Sequence, residues 1–313
     1  MKMMINDSTC NPSNARGAPG RAGAILAWLA LVLTVPTNCL TVQAFVISNN
    51  AVLLSWPEPA TEQIVIGASS LASNAVWSPW PEPIFKRSGQ LCMAVPATEK
   101  ERYFKLVPGT QFVDDFSATW GPFTNRNSWR PFYNEGTDKF IATNGVLQLN
   151  WHGPIEGGFG LRPPGPDIQV RDFYMSLDVL DWVTSGANWS MIGLIARGNL
   201  AYNWDYGGGL LLNYGGVRGR VAPDIWFYTT ETFGPSFDIQ QIPPPYRLQF
   251  WGVGPKLHFR VLSLTTGQIL AELTLTHSAA DQGFVCLWIS APSGGSESHS
   301  ITVDNFFVTG TRP

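Results

Sequence analysis

Aromatic and polar side chains recur together in two stretches of the second half of the chain, DWVTSGANWSMIG (181–193) and NLAYNWDYGGG (199–209). A flat aromatic ring can cover the apolar C–H face of a sugar ring, while amide and carboxylate groups bond the sugar hydroxyls. The two stretches therefore predict a carbohydrate-binding surface. Its candidate residues are Trp182, Trp189, Tyr202, Trp204, Asp205 and Tyr206.

The alternative interpretation of these tryptophans is structural, because large β-sandwiches bury Trp in their cores. The chain has 13 tryptophans, and Trp56, Trp77, Trp251 and Trp288 lie in strand-like runs where a core position is the natural expectation. Polar loop neighbours favour ligand contact for Trp189 and Trp204.

Two similar stretches lie far apart in the chain, QFVDDFSATW (111–120) and ITVDNFFVTG (301–310). Side chains alternate along a strand, so Asp114 should share a face with Phe116, and Asp304 with Phe306. An inward carboxylate needs a partner, because an unpaired buried charge is costly. The partner could be backbone N–H groups, an arginine or a structural Ca²⁺, which makes Asp114 and Asp304 candidate metal ligands.

The elements that position these residues are strands. Short runs rich in Val, Ile, Phe, Tyr and Trp alternate with Gly, Pro, Asn and Asp, and no 3.6-residue period is present. The pattern predicts an all-β protein whose strands fall into two segments, 45–107 and 112–310, divided at Val107–Thr110. The second segment has the strand spacing of an antiparallel β-sandwich. In DFYMSLDVL (172–180), alternation places Phe173, Met175, Leu177 and Val179 on one face.

Composition and the first residues predict an exported protein. Charged residues are only 14% of the 313 and the net charge is −3, which argues against nucleic acid as a partner. Lys2, Arg16 and Arg21 precede an apolar run at 22–35, so residues 1–44 are predicted to be a signal peptide cleaved near Ala44. A retained anchor is the alternative, although the run is short for a membrane span. Cys92 and Cys286 lie in apolar strand contexts that favour buried free thiols.

The 112–310 segment resembles the concanavalin A-like lectin/glucanase jelly rolls, in their laminin G-like bacterial form. The resemblance is carried by DDF (114–116), Trp129 with NGVLQLN (144–150), RDFYMSLDV (171–179), IGLIAR (192–197), YGGGLLLNY (206–214), YRLQFW (246–251) and DNFFVTG (304–310). It implies that the first and last strands pair within one sheet, which would bring Phe116 and Phe306 together in the core. Residues 45–107 resemble fibronectin type III-like modules through LLSWPEP (53–59), SSLASNAVWSPW (69–80) and ERYFKL (101–106).

Glucanases of this family carry an E-x-D-x-E strand, and this chain contains none. Strict alternation would put Asp178 and Asp181 on opposite faces, and the residue two positions after Asp205 is glycine. The four histidines show no metal-ligand spacing. We therefore expect a secreted, non-catalytic protein that binds polysaccharide. The one cofactor considered is the structural Ca²⁺ at Asp114 and Asp304. A glycoside hydrolase with atypical acids and a structural or adhesive surface protein are the alternatives.

Overall fold

The computed structural model describes residues 2–5, 43–48, 51–57, 63–79, 84–87, 89–96, 101–117, 129–131, 140–152, 158–162, 168–184, 190–198, 208–214, 220–226, 231–233, 237–238, 243–276, 282–290 and 298–313. The chain divides into two compact units, Met1–Pro108 and Gly109–Pro313. Every regular element described is a β-strand, which confirms the all-β prediction. A search of these residues finds no helix with the length and hydropathy needed to span a membrane.

The first unit contains two four-stranded sheets. Its strands are β1 (Lys2–Ile5), β2 (Gln43–Ser48), β3 (Ala51–Pro57), β4 (Gln63–Ala68), β5 (Ser78–Pro79), β6 (Ile84–Arg87), β7 (Gln90–Pro96) and β8 (Glu101–Pro108). The sheet orders are β1-β8-β4-β5 and β2-β3-β7-β6. Strand β1 runs parallel to β8, whereas the other described pairs are antiparallel. The apolar run at 22–35 lies outside the described residues.

The second unit is built from two larger antiparallel sheets. Its strands are β9 (Thr110–Asp114), β10 (Arg130–Pro131), β11 (Phe140–Thr143), β12 (Val146–His152), β13 (Gly158–Arg162), β14 (Gln169–Val170), β15 (Phe173–Thr184), β16 (Ser190–Gly198), β17 (Gly208–Tyr214), β18 (Arg220–Trp226), β19 (Glu231–Phe233), β20 (Phe237–Asp238), β21 (Tyr246–Val253), β22 (Lys256–Ser263), β23 (Ile269–Thr276), β24 (Gly283–Ser290) and β25 (Ser298–Gly310).

The eight-stranded sheet of this unit has the order β11-β12-β25-β15-β21-β22-β23, with β9 also paired to β25. The nine-stranded sheet has the order β10-β13-β24-β16-β17-β18-β19, with β14 on β24 and β20 on β18. Strands β22 and β23 form a hairpin, and Gly267, which follows Thr265 and Thr266 in its turn, has a φ of +71°.

Side chains from both sheets form one hydrophobic core. Phe173, Met175, Leu177 and Val179 are all completely buried in it, which confirms the face predicted from alternation. The nine-stranded sheet contributes a matching set from its two central strands, Ile192, Leu194, Ala196, Val285 and Leu287. Cys92 and Cys286 are buried free thiols, as expected.

The predicted pairing of the two Asp-containing strands is confirmed. Strand β9 lies antiparallel to β25, with Asp114 opposite Phe306 and Phe112 opposite Val308. Phe116 and Phe306 are both fully buried in the core. Phe116 itself follows the end of β9 and has a positive φ of 49°, so a local turn directs its ring inward.

The prediction that Asp304 shares a face with Phe306 is wrong. Asn305 has a φ of +51°, and the register between β15 and β25 shifts between Ser176 and Asp178. This bulge adds one residue to β25, so Val303 and Phe306 both point into the core while Asp304 lies on the other face.

Asp114 faces inward and is held by two donors. The backbone N–H of Phe116 donates to its Oδ1 at 2.7 Å, and the indole Nε1 of Trp129 donates to its Oδ2 at 2.7 Å. The Trp129 ring stacks on Phe116 and meets Phe306 edge-on. Of the three partners considered for this carboxylate, the structure shows the backbone N–H, together with an indole that the sequence did not suggest.

The Asp114–Trp129 bond should therefore stabilise the closure of the second unit. In a double-mutant cycle with Asp114→Ala and Trp129→Phe, we expect a coupling free energy of about 1.5–3 kcal/mol, because the acceptor is charged and half-buried. Urea unfolding of the four proteins gives this value. Asp115→Ala is the control, since Asp115 is exposed. If the losses in free energy of unfolding of the two single variants add up to that of the double variant, the Asp114–Trp129 bond does not stabilise the unit.

Candidate functional site

Of the predicted sugar-binding residues, Trp182 lies in the described part of the second unit. Trp182 is only 3% exposed and belongs to the hydrophobic core, so its ring is not part of a binding surface. A bulge between Val179 and Asp181 turns this ring inward. The other five candidates, Trp189, Tyr202, Trp204, Asp205 and Tyr206, lie outside the described residues.

The strand ends that flank these candidates are described. In the chain, Trp189 immediately precedes β16, whereas residues 199–207 connect the other end of β16 to the start of β17. A nine-residue strand rising about 3.3 Å per residue separates its ends by about 26 Å. The described neighbours of the two candidate groups, Ser190 on one side and Gly198 with Gly208 on the other, therefore lie at opposite ends of β16.

A buried arginine fixes the strand end from which segment 199–207 departs. Arg197 is 2% exposed and has a φ of +58°, at the point where the register between β16 and β24 shifts. Its Nε and Nη2 donate to the carbonyl oxygen of Arg171 at 3.0 and 2.8 Å, and Asp172 lies 3.9 Å from Nη2. The guanidinium also covers the ring of Phe173 at 5.4 Å. Arg197 thus ties the nine-stranded sheet to the start of β15.

Asp172 joins two other backbone segments at the same end. Its Oδ1 accepts the N–H of Gly254 in the β21–β22 turn at 2.8 Å. Its own N–H donates to the Thr311 hydroxyl, and its carbonyl accepts the N–H of Thr311 at 2.8 Å. Arg171 completes this exchange by donating its N–H to the carbonyl of Thr311. We call Arg171, Asp172, Arg197, Gly254 and Thr311 the corner network.

Two glycines make room for the corner network. Phe173 lies between Gly310 of β25 and Gly252 of β21 in the sheet register. A Cβ on Gly252 would meet the Phe173 ring at 2.5 Å, and one on Gly310 would lie 2.5 Å from Val170 and 2.9 Å from the Asp172 carbonyl. Only glycine permits this close approach of the strands.

We expect Gly310→Ala to lower the free energy of unfolding by about 1–3 kcal/mol, because the added methyl group overlaps backbone as well as side-chain atoms. Chemical denaturation followed by circular dichroism measures the loss. Thr276→Ala, on the exposed end of β23, is the control and should change stability little. An unchanged midpoint for Gly310→Ala would show that the corner is not tightly packed.

The face of the eight-stranded sheet that points away from the core carries two cross-strand rows of mostly polar and aromatic side chains. The first row is Gln111, Thr309, Tyr174, Trp251, His258 and Thr274. The second row is Val113, Phe307, Ser176, Gln249, Arg260 and Glu272. We call these two rows the outer face. Its central members are buried, and exposure increases toward β23.

The more open part of the outer face is an aromatic and ionic cluster. The rings of Trp251 and His258 stack at 5.0 Å with an 8° interplanar angle, and Arg260 lies 5.2 Å from the Trp251 ring. Arg260 donates twice to Glu272, and His258 contacts the Thr274 hydroxyl at 2.8 Å. The side chains therefore bind one another closely and hold this surface in one arrangement.

The carboxylates near the bulge of β25 are held by hydrogen bonds. Arg247 binds Asp178 through both oxygens at 2.6 and 2.7 Å, and Asn305 donates to Asp178 at 3.0 Å. Burial raises the pKa of Asp304, and the negative charges of nearby carboxylates, that of Asp178 above all, raise it further. The hydrogen bond from the backbone N–H of Asn305 lowers it. In the part of the chain that the structure describes, no group of three or more His, Cys, Asp or Glu side chains could hold a metal ion.

The expectation that Asp178 and Asp181 lie on opposite faces is wrong. Asp178 pairs with Asp304 and Asp181 with Thr302, two residues apart on β25, because the bulge at Val179–Asp181 inserts an extra residue. The two carboxylates are nevertheless in different environments. Asp178 is buried and bound by Arg247, whereas Asp181 is exposed and accepts its neighbour's N–H at 2.9 Å.

His258 should make stability depend on pH. Burial lowers the pKa of His258, with Lys256 and Arg260 adding to the effect and Glu272 opposing it. As the pH falls below about 6.5, the unfolded chain therefore binds more protons at His258 than the native protein does, and the free energy of unfolding decreases. Protonation at still lower pH removes the neutral imidazole that stacks on Trp251. We expect the free energy of unfolding to fall more between about pH 7.5 and 5.5 in the wild type than in His258→Gln. Equal pH dependence in the two proteins would contradict this role.

No family model matches the chain, and no curated protein matches it. Solved structures similar to it belong to the class that the sequence resembles. The CBM2 module of an evolved Dit from Lactobacillus casei BL23 phage J-1 has 11% identity and a TM-score of 0.47, over 65% of this chain and 97% of that one. A legume lectin-like domain from Entamoeba histolytica has 14% identity and a TM-score of 0.40, over 59% and 91%.

A non-specific endo-beta-1,3(4)-glucanase from family GH16 has 12% identity and a TM-score of 0.43, over 64% of this chain and 90% of that one. At these identities and TM-scores the likeness concerns the course of the strands alone. The ligand of this chain must be argued from its own residues.

Proposed function

We propose that the protein binds carbohydrate without cleaving it, through the segment 199–207. The observation that carries this proposal is the anchoring of the strand end that precedes this segment. Its Tyr202, Trp204, Asp205 and Tyr206 follow directly on the strand end that Arg197 fixes against the other sheet. Aromatic rings on a rigid support bind a sugar with less loss of conformational entropy than rings on an unsupported chain.

Hydrogen-bonding groups near this strand end support the same site. Arg171 and Gln282 are exposed and bonded to each other at 3.2 Å, and Asp172 is partly exposed. Guanidinium, amide and carboxylate groups in one area match the paired donors and acceptors of sugar hydroxyls. Trp189 precedes the opposite end of β16, about 26 Å along the strand, and is not assigned to this site.

Two of the described carboxylates, Asp114 and Asp178, favour binding over hydrolysis because both are engaged within the fold. Asp114 is occupied by an indole and a backbone N–H, and Asp178 is occupied by Arg247 and Asn305. A glycosidase needs two carboxyl groups free to act on one bond, one of them as a proton donor. These two aspartates instead stabilise the sheet.

We also propose that the ligand is an extracellular polysaccharide, met after export and removal of residues 1–44. The basic start, the apolar run at 22–35 and the small residues before Phe45 support export. Residues 45–107 would then form a separate, fibronectin type III-like module ahead of the binding domain.

The test uses a glycan array followed by titration with the best soluble polysaccharide. We expect Trp204→Ala to weaken binding at least about tenfold, because it removes the stacking ring. Trp189→Ala is the matched control, the same change at the other end of β16, and it should leave affinity nearly unchanged.

Two outcomes would overturn the proposal: no polysaccharide binds, or Trp189→Ala abolishes binding while Trp204→Ala does not. Release of new reducing ends during incubation would instead favour the glycoside hydrolase.

A further inference from the structure

Strand β23 ends the eight-stranded sheet and has the length of an interior strand. It has eight residues, and in the described parts of the chain no strand pairs with its outer side. The other strands that end a sheet have between two and six residues. A long unpaired edge offers a row of backbone N–H and C=O groups to another chain, and short edge strands avoid this.

The sequence of β23 does little to block such pairing. ILAELTLT (269–276) contains no proline and no lysine, and Glu272 is its one charged residue. The register with β22 is continuous from Ala271 to Thr276, and the one irregularity lies nearer Ile269. Glu272, Thr274 and Thr276 are exposed, while Leu273 and Leu275 are half-buried against the core.

We propose that β23 pairs antiparallel with β23 of a second copy of this chain, centred on Leu273. This register places Leu273 opposite its counterpart, Ala271 opposite Leu275, and Glu272 opposite Thr274. Core-facing residues then meet core-facing residues, and residues 270–276 of each copy take part.

Charge selects this register among the alternatives. Moving the centre by one residue to Glu272 keeps nearly the same overlap but puts two carboxylates directly opposite each other, which is destabilising. Moving it to Thr274 or Ala271 shortens the paired segment. The partner is a second copy because the strand complements itself in one register without a like-charge contact. The two eight-stranded sheets then form one continuous sheet with an isologous interface.

Thr274 gives a test with opposite expected signs. In the dimer, each residue 274 lies opposite Glu272 of the other copy. Thr274→Glu therefore places a carboxylate opposite each Glu272, whereas Thr274→Lys places an ammonium group there. Both variants lose the contact with His258, so they match each other in that respect. By sedimentation equilibrium of the full chain at low salt, we expect the Thr274→Glu dimer to be about tenfold weaker than wild type and the Thr274→Lys dimer to be tighter.

A cysteine pair tests the register. Under mild oxidation, Leu273→Cys should give a covalent dimer on a non-reducing gel, because its counterpart lies directly opposite. Thr276→Cys should not, because the two sulfurs would be separated by six residue steps, or about 20 Å. Cys92 and Cys286 are buried and should not interfere, and Cys10 and Cys39 are replaced by Ser in both variants.

A wild-type chain that stays monomeric at every concentration would overturn the proposal, even if it captured another extended peptide. Thr274→Glu and Thr274→Lys shifting the equilibrium in the same direction would also overturn it. Loss of folding by either variant is checked by thermal unfolding; if Thr274→Glu is unfolded, the cysteine pair decides.

Discussion

A guanidinium group buried at one end of the second unit is the interaction on which the candidate site depends. Removing a charge from water costs several kcal/mol unless hydrogen bonds and an opposite charge replace the lost solvation. Arg197 receives that replacement from the carbonyl of Arg171, from Asp172 and from the face of Phe173. These partners lie in β15 of the eight-stranded sheet or directly before it. Arg197 therefore links the nine-stranded sheet to the eight-stranded sheet near the point where segment 199–207 begins.

The linkage also explains why small residues flank Phe173. Gly252 and Gly310 are its neighbours on the two adjacent strands, and neither position has space for a Cβ. A charged side chain, an aromatic ring and two glycines therefore form one packing unit, in which each member requires the others. These four residues are 24–137 positions apart in the sequence, which is why no local pattern reveals the unit.

The resemblance to the lectin/glucanase jelly rolls implied the pairing of β9 with β25, and the period-2 alternation patterns were sufficient to predict the strands and the core face of β15. They failed wherever a bulge adds a residue, because one extra position reverses every face that follows. Asp304 and Asp181 were misplaced for this reason, and a bulge also turns Trp182, which was chosen for its aromatic and polar neighbours, into the core. The outer face was missed for a different reason. Its rows join six strands, and only the register shows that Tyr174, Trp251 and His258 are neighbours.

The position of β25 has a consequence for biosynthesis. This strand lies between β12 and β15 and also pairs with β9, so it occupies the interior of the eight-stranded sheet. The ribosome makes residues 298–310 after every other strand of that sheet. Until then, the nascent chain has a gap flanked by two unsatisfied strand edges, which are prone to aggregation. A chaperone or a translocation channel that keeps the polypeptide extended would protect it during this interval.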